Sequence, residues 1–168
     1  YTSVLVGQQH VATDPSRIGY DHIAQTRSTR AEHIVPAAVD FFGRKPAEPF
    51  FLSVGFAETH RAFPDPGPDD EPRYCLPPAP LPDTPQTRRD MAGFKACARR
   101  LDAGMGAVVD ALDASGLADN TLVICTTDHG IAFPGMKCNL TDHGIGVMLI
   151  VRGPGGFTGG RVSDAMVS

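Results

Sequence analysis

The sequence predicts an α/β fold, a mostly parallel central sheet flanked by helices, and three observations carry that expectation. Apolar runs at residues 50–56, 122–125 and 147–151 have the length and the β-branched or aromatic content of strands buried on both faces. A long amphipathic segment at residues 85–115 separates the first two, which is the order of a right-handed strand, helix, strand crossover. The run at residues 122–125 leads directly into Asp128, His129 and Gly130, and ligands in open parallel sheets sit outside the carboxyl ends of the strands.

Taken in order, residues 3–6 form a short β-rich segment that stops at Gly7, so Gln8, Gln9 and His10 fall where a strand gives way to a loop. The Pro, Ser, Gly and Asp content of residues 14–27 predicts loop. Thr29 with Glu32 has the pattern of a capping box, and Ile34, Val35, Ala38, Phe41 and Phe42 follow at helical spacing up to Gly43. Pro36 lies inside that helix and removes a donor, which demands a kink or a later start. The run at residues 50–56 delivers Glu58, Thr59, His60 and Arg61, and a histidine and an arginine leaving one strand together suit an anion.

Residues 62–85 are proline-rich and predict an extended loop with no regular element, anchored by Tyr74, Cys75 and Leu76. Thr84 and Pro85 then supply an N-cap and a proline at the first helical position. Met91, Phe94, Ala98, Leu101, Met105, Val108 and Leu112 repeat in steps of three and four, a stripe expected to lie against the sheet until Ser115 and Gly116 end the helix. Residues 155–160 are turn-rich, and Asn139, Leu140 and Thr141 match a glycosylation acceptor that has meaning only in a secreted eukaryotic protein.

A chain of 168 residues, 42% hydrophobic and 20% charged, is enough for one soluble domain core. A net charge of −4 with scattered basic residues gives no basic stripe, so no nucleic-acid partner is expected. No apolar run approaches the roughly 18 residues of a membrane span. Cytoplasmic and exported locations both stay open, and oligomeric state is not legible. Cys75, Cys97, Cys125 and Cys138 lack paired metal spacing and disulfide density, and Cys125 reads as a small core hydrophobe. The chain opens on Tyr1, with a strand close behind it, and this suggests a piece of a larger protein.

Three strand ends thus carry His10, His60 and the pair Asp128 and His129, with Lys137 in the loop after the last. Together they describe an anion beside a divalent cation: a metal polarises an anionic ester, and Lys and His donors stabilise the charge that builds up. Asp is a hard ligand suited to calcium, magnesium or manganese, and His leans towards manganese or zinc.

The stretch Thr127-Asp128-His129-Gly130, then Lys137 and Leu140, then residues 144–154, resembles the catalytic domain of sulfatases in the alkaline phosphatase superfamily. Residues 49–61 are similar to the strand that brings a substrate-binding histidine to the sulfatase site, and Gly7-Gln8-Gln9-His10 resembles a Gly-Lys-x-His element. The spacing from Asp128 through Gly135 to Asn139 is most similar to the heparan N-sulfatase (sulfamidase) branch. The resemblance implies a hydrolase of sulfate esters or sulfamates acting on a small anionic sulfated substrate. Asp128 and His129 would be metal ligands, calcium first with manganese or magnesium as alternatives, and His10, His60 and Lys137 catalytic contacts to the sulfate.

Two departures follow. The Cys-x-Pro-x-Arg or Ser-x-Pro-x-Arg element that yields the formylglycine nucleophile is absent, as is the Asp-Asp pair that completes the metal site. Both are expected upstream of Tyr1, so residues 1–168 read as part of a catalytic domain, lacking its nucleophile segment and its C-terminal part and inactive alone. Gln8 stands where the family usually has lysine and removes one positive charge, while His129 stands where Asn or His is usual. A phosphodiesterase or phosphonate monoester hydrolase of the same superfamily, or a non-catalytic anion-binding relative, remains the alternative.

Overall fold

The first half of the chain is built on β1 (Thr2–Gly7). In the computed structural model, which describes residues 1–155, 157 and 159–166, this strand pairs in parallel with β2 (His22–Ala24) on one side and β3 (Phe50–Gly55) on the other. Val4 and Val6 are buried against Ile34 of α1 (Ala31–Gly43), which has no exposed surface. Alternation along the strand and a three-or-four step along the helix bring these side chains together, and burying each contributes about 1.5–3 kcal/mol.

The helix starts later than the capping-box pattern suggests. Arg30 is the N-cap and makes no side-chain cap; Glu58, arriving after β3, instead accepts from the Ala31 backbone N–H at 3.1 Å. A carboxylate brought in by the tertiary fold thus takes the place of the local Thr29–Glu32 box. Pro36 is accommodated on the exposed face of a continuous helix. β2 falls inside the segment expected to be loop. Its three residues show no alternation of their own; they become a strand because Asp21 accepts from both the backbone N–H and the hydroxyl of Ser3, at 2.8 and 2.7 Å, and so lays them along β1.

α2 (Pro85–Ser115) has the bounds the sequence predicts, with a reciprocal cap between Thr84 and Thr87 and Gly116 at a φ of 78° closing it. Its packing differs from expectation. The buried positions are Ala92, Gly93, Cys97, Gly104 and Leu112, and Gly104 lies against Ala31, Val35 and Phe56. Small residues allow α2 to approach α1 closely, so the helix rests on a helix and the larger stripe residues flank that contact half-buried. The proline-rich stretch lies along α2, clipped by ion pairs Asp65–Arg89, Asp70–Arg99 and Asp83–Arg88, and holds one short 3-10 turn at Pro72–Tyr74.

β4 (Val123–Thr126) and β5 (Leu149–Arg152) make a separate antiparallel ribbon, a correction to their expected place in the parallel sheet. β3 and β4 share no sheet, so no crossover between them exists to have a hand. The connecting loop explains the direction: Gly130 N–H donates to Gly144 O at 2.8 Å, so the chain closes on itself around the short α3 (Asp142–Ile145) and returns beside β4. A parallel return would need a crossover over the sheet face. The ribbon is also less buried than its apolar sequence suggests, with Ile124 60% and Ile150 59% exposed, and Phe51 on β3 is 56% exposed. Among the described residues no helix is long and apolar enough to cross a membrane. Gly155 and Gly160 have the positive φ of turns, while Gly156 and Thr158 of that expected turn segment lie outside the described residues.

Candidate anion and metal site at the strand ends

Parallel pairing puts the carboxyl ends of β1 and β3 at one edge, with Gly7 in register with Gly55. The two ends touch: Gln8 N–H donates to Gly55 O at 2.8 Å, and a Cβ at Gly55 would fall 1.9 Å from Gln8 O. Only glycine lets the two exits run this close. Beyond that point the Gln9 side chain orders the first exit, accepting from the N–H of Val11 at 2.7 Å and of Ala12 at 3.0 Å and donating to Ala12 O. His10 stands exposed on this ordered turn.

The second exit is fixed from three sides. Ala57 N–H donates to Thr29 O at 2.8 Å, the 4%-exposed Glu58 side chain receives Ala31 N–H with Arg30 3.8 Å away, and His60 N–H donates to Ala57 O at 2.7 Å. A carboxylate at a helix N-terminus complements the positive end of the dipole. His60 Nδ1 lies 2.5 Å from Arg61 O. A carbonyl only accepts, so that nitrogen carries the proton and Nε2 is left for other chemistry. Arg61, read from sequence as an anion contact, is committed elsewhere: it donates to Ala132 O at 2.8 Å and to Asp90 at 2.7 Å, with its guanidinium 4.4 Å from the Phe63 ring centroid and 5.1 Å from that of Phe133.

After β4 the loop is locked by close backbone approaches. A Cβ at Gly130 would lie 1.8 Å from His143 O, and one at Gly144 would lie 2.0 Å from Asn139 O. Met136 and Phe133 bury their side chains beneath it, and Lys137 N–H donates to Ile131 O at 3.2 Å. Asp128 is exposed, with a carboxylate oxygen 3.5 Å from His129 Nε2. His129 Nδ1 is 2.6 Å from Gly130 O, so its proton sits there and the Nε2 lone pair turns to the Asp128 side. One hard oxygen donor and one imidazole nitrogen side by side suit a divalent cation in part, against the roughly six donors that calcium needs. Among the described residues no group of three or more His, Cys, Asp or Glu side chains converges to complete the set.

Of the five residues singled out by sequence, Asp128 and His129 are therefore brought into contact. His10 and His60 lie in the segments that follow two strands whose carboxyl ends, Gly7 and Gly55, are side by side, and Lys137 stands half-buried in the Asp128 loop. Among the described residues no hydrogen bond or ion pair joins either histidine to the Asp128 loop. The sequence marked Glu58 only as a residue leaving the strand and did not single out Asp90, because a carboxylate that caps a distant helix or receives a distant arginine leaves no local pattern. Neither Cys97 nor Cys125 is primed as a nucleophile: burial pushes the Cys125 thiol up, and burial, then the Glu58 charge, does the same at Cys97.

The Sulfatase family pattern matches residues 8–168. The chain belongs to the sulfatase family. It is 34% identical over 145 residues to N-sulphoglucosamine sulphohydrolase of Homo sapiens, covering 71% of this chain and 29% of that protein. It is 31% identical over 141 residues to steryl-sulfatase of Mus musculus, covering 73% of this chain and 20% of that one. A solved 2-O GAG sulfatase shares the fold, with a TM-score of 0.65 at 18% identity over 92% of this chain and 44% of that structure. This sulfatase-family chain thus spans less than a third of either sequence relative. Its kinship with a sulphohydrolase of an N-sulphated sugar agrees with the sulfamidase-like spacing after Asp128.

Proposed function

We propose that the protein carrying this chain is a metal-dependent hydrolase of sulfate esters or sulfamates, and that residues 1–168 supply part of its catalytic domain. The observation that carries the reading is the family match across both candidate halves, from the His10 turn through the Asp128 loop, supported by the register that ends β1 and β3 side by side just before the segments carrying His10 and His60. In this reading Asp128 and the Nε2 of His129 hold a divalent cation, calcium first and manganese or magnesium as alternatives. A bound cation supplies polarisation of the anionic ester oxygen.

His60, its Nδ1 proton held on Arg61 O, presents Nε2 to the sulfate or to the leaving group, where it holds or passes a proton. His10 offers an imidazole N–H, and Lys137 its ammonium, to the anion. Gln8 removes one such charge, and its amide donates weakly to Gln9 O at 3.3 Å. In this reading the nucleophile, formylglycine, and the remaining metal ligands come from parts of the protein other than residues 1–168. Without them the chain positions an anion and turns nothing over.

Calorimetric calcium titration and an aryl sulfate assay on the chain and on the longer protein, each with Asp128→Ala, test this. The expected outcome is weak binding and no turnover in the chain, and both activities in the longer protein, lost with Asp128→Ala. Turnover by the chain alone, or a longer protein indifferent to Asp128→Ala, would place the chemistry elsewhere.

A further inference from the structure

The candidate site is split between two segments that follow different sheets. His60 leaves β3 of the parallel sheet, whereas Asp128, His129 and Lys137 follow β4 of the antiparallel ribbon. Among the described residues a single hydrogen bond crosses from residues 56–66 to residues 127–148, and it is Arg61 Nε–H to Ala132 O at 2.8 Å. The same guanidinium meets Asp90 of α2 and lies over Phe63 from its own segment and Phe133 from the loop, whose rings are 5.7 Å apart and both pack on Phe94.

We infer that Arg61 is a positioning residue that locks the anion-binding half of the site to the metal-binding half, with Asp90 holding its fork in place. The chemistry of the side chain supports this over a plain surface ion pair. A planar guanidinium can send two N–H groups in fixed, divergent directions while its faces lie on aromatic rings; lysine offers a point charge without that fork. Arg61 also adjoins His60, whose Nδ1 is tied to the Arg61 carbonyl, so a shift of Arg61 is passed directly to His60. The catalytic meaning of the lock rests on the sulfatase reading. The lock itself does not.

Hydrogen exchange on the full chain tests the lock, and kinetics of the longer protein with an aryl sulfate test its meaning. In Arg61→Lys, which keeps the charge, and in Asp90→Asn, which keeps the shape, exchange at the amides of Gly130 and Lys137 is expected to rise about tenfold while Val6 is unchanged. Unchanged exchange in the loop, or an equal rise at Val6, would overturn the inference. In the longer protein Arg61→Lys is expected to lower kcat more than tenfold with little change in KM, because misplacement by about 1 Å can cost about 100-fold. Added guanidinium ion should restore part of kcat to Arg61→Ala. A raised KM at constant kcat, or no rescue, counts against positioning. A loop that loosens as expected in a protein whose wild type leaves sulfate esters intact would sustain the lock and refute the sulfatase reading.

Discussion

The two sheets of this chain share similar apolar sequences and have opposite surroundings. Val4, Leu5 and Val6 of β1 are at most 8% exposed, closed in by β2, β3 and α1, whereas Ile124 of β4 and Ile150 of β5 are more than half exposed. An apolar run therefore identifies a strand but not its cover. The difference divides the candidate site too: the histidine exits stand on a sheet that completes its own core, and the Asp128 loop stands beside a ribbon that does not. What makes that loop definite is local, a set of glycine contacts and two buried side chains, Phe133 and Met136.

Substitutions should separate the halves. Ile34→Ala empties a site with no exposed surface and is expected to cost about 2–5 kcal/mol, while Ile124→Ala should stay within about 0.5 kcal/mol, both read from denaturant midpoints at constant m-value. Equal costs would erase the contrast. Gly130→Ala is expected to cost about 1–3 kcal/mol or to unlock the loop, since its new methyl would meet His143 O at 1.8 Å; Ala at Gly106, where nothing lies within 4 Å, should be neutral or stabilising by about 0.4–1 kcal/mol.

Smaller effects sharpen the comparison on the parallel side. The N–H and hydroxyl of Ser3 hold the Asp21 carboxyl below its usual range. A depressed folded-state value means that the contribution is present above the ordinary carboxylate range and is lost as pH falls through the folded-state value. Asp21→Asn should lower stability at neutral pH, where the contribution is present, and converge on the wild type in acid, so that the acid limb of a thermal stability profile flattens. An unaltered acid limb would show that Asp21 does not tie β2 to β1. Thr84→Ala, which removes the α2 cap, should cost about 1 kcal/mol by thermal melting.

How much of this was legible depends on range. α2 was readable to the residue because Thr84, Pro85 and Gly116 punctuate it locally, and Phe50–Gly55 and Val123–Thr126 were readable as strands from their composition. The start of α1 was not, because Glu58, far along the chain, caps it; β2 was not, because Asp21 and β1 create it. Asp128 and His129 stood out as ligand types at a strand end, but the antiparallel return of β5 depends on the closure of Gly130 on Gly144, and the role of Arg61 on a partner seventy-one residues away at Ala132.

The central claim is that the two halves form one site, and a double-mutant cycle in the longer protein tests it most directly. His60→Ala, Asp128→Ala and the double variant would be compared in kcat/KM for an aryl sulfate at saturating calcium. Groups that act as a unit are strongly non-additive, so the double variant is predicted to lose about as much as the worse single variant. Losses that multiply, with each residue contributing independently of the other, would contradict it.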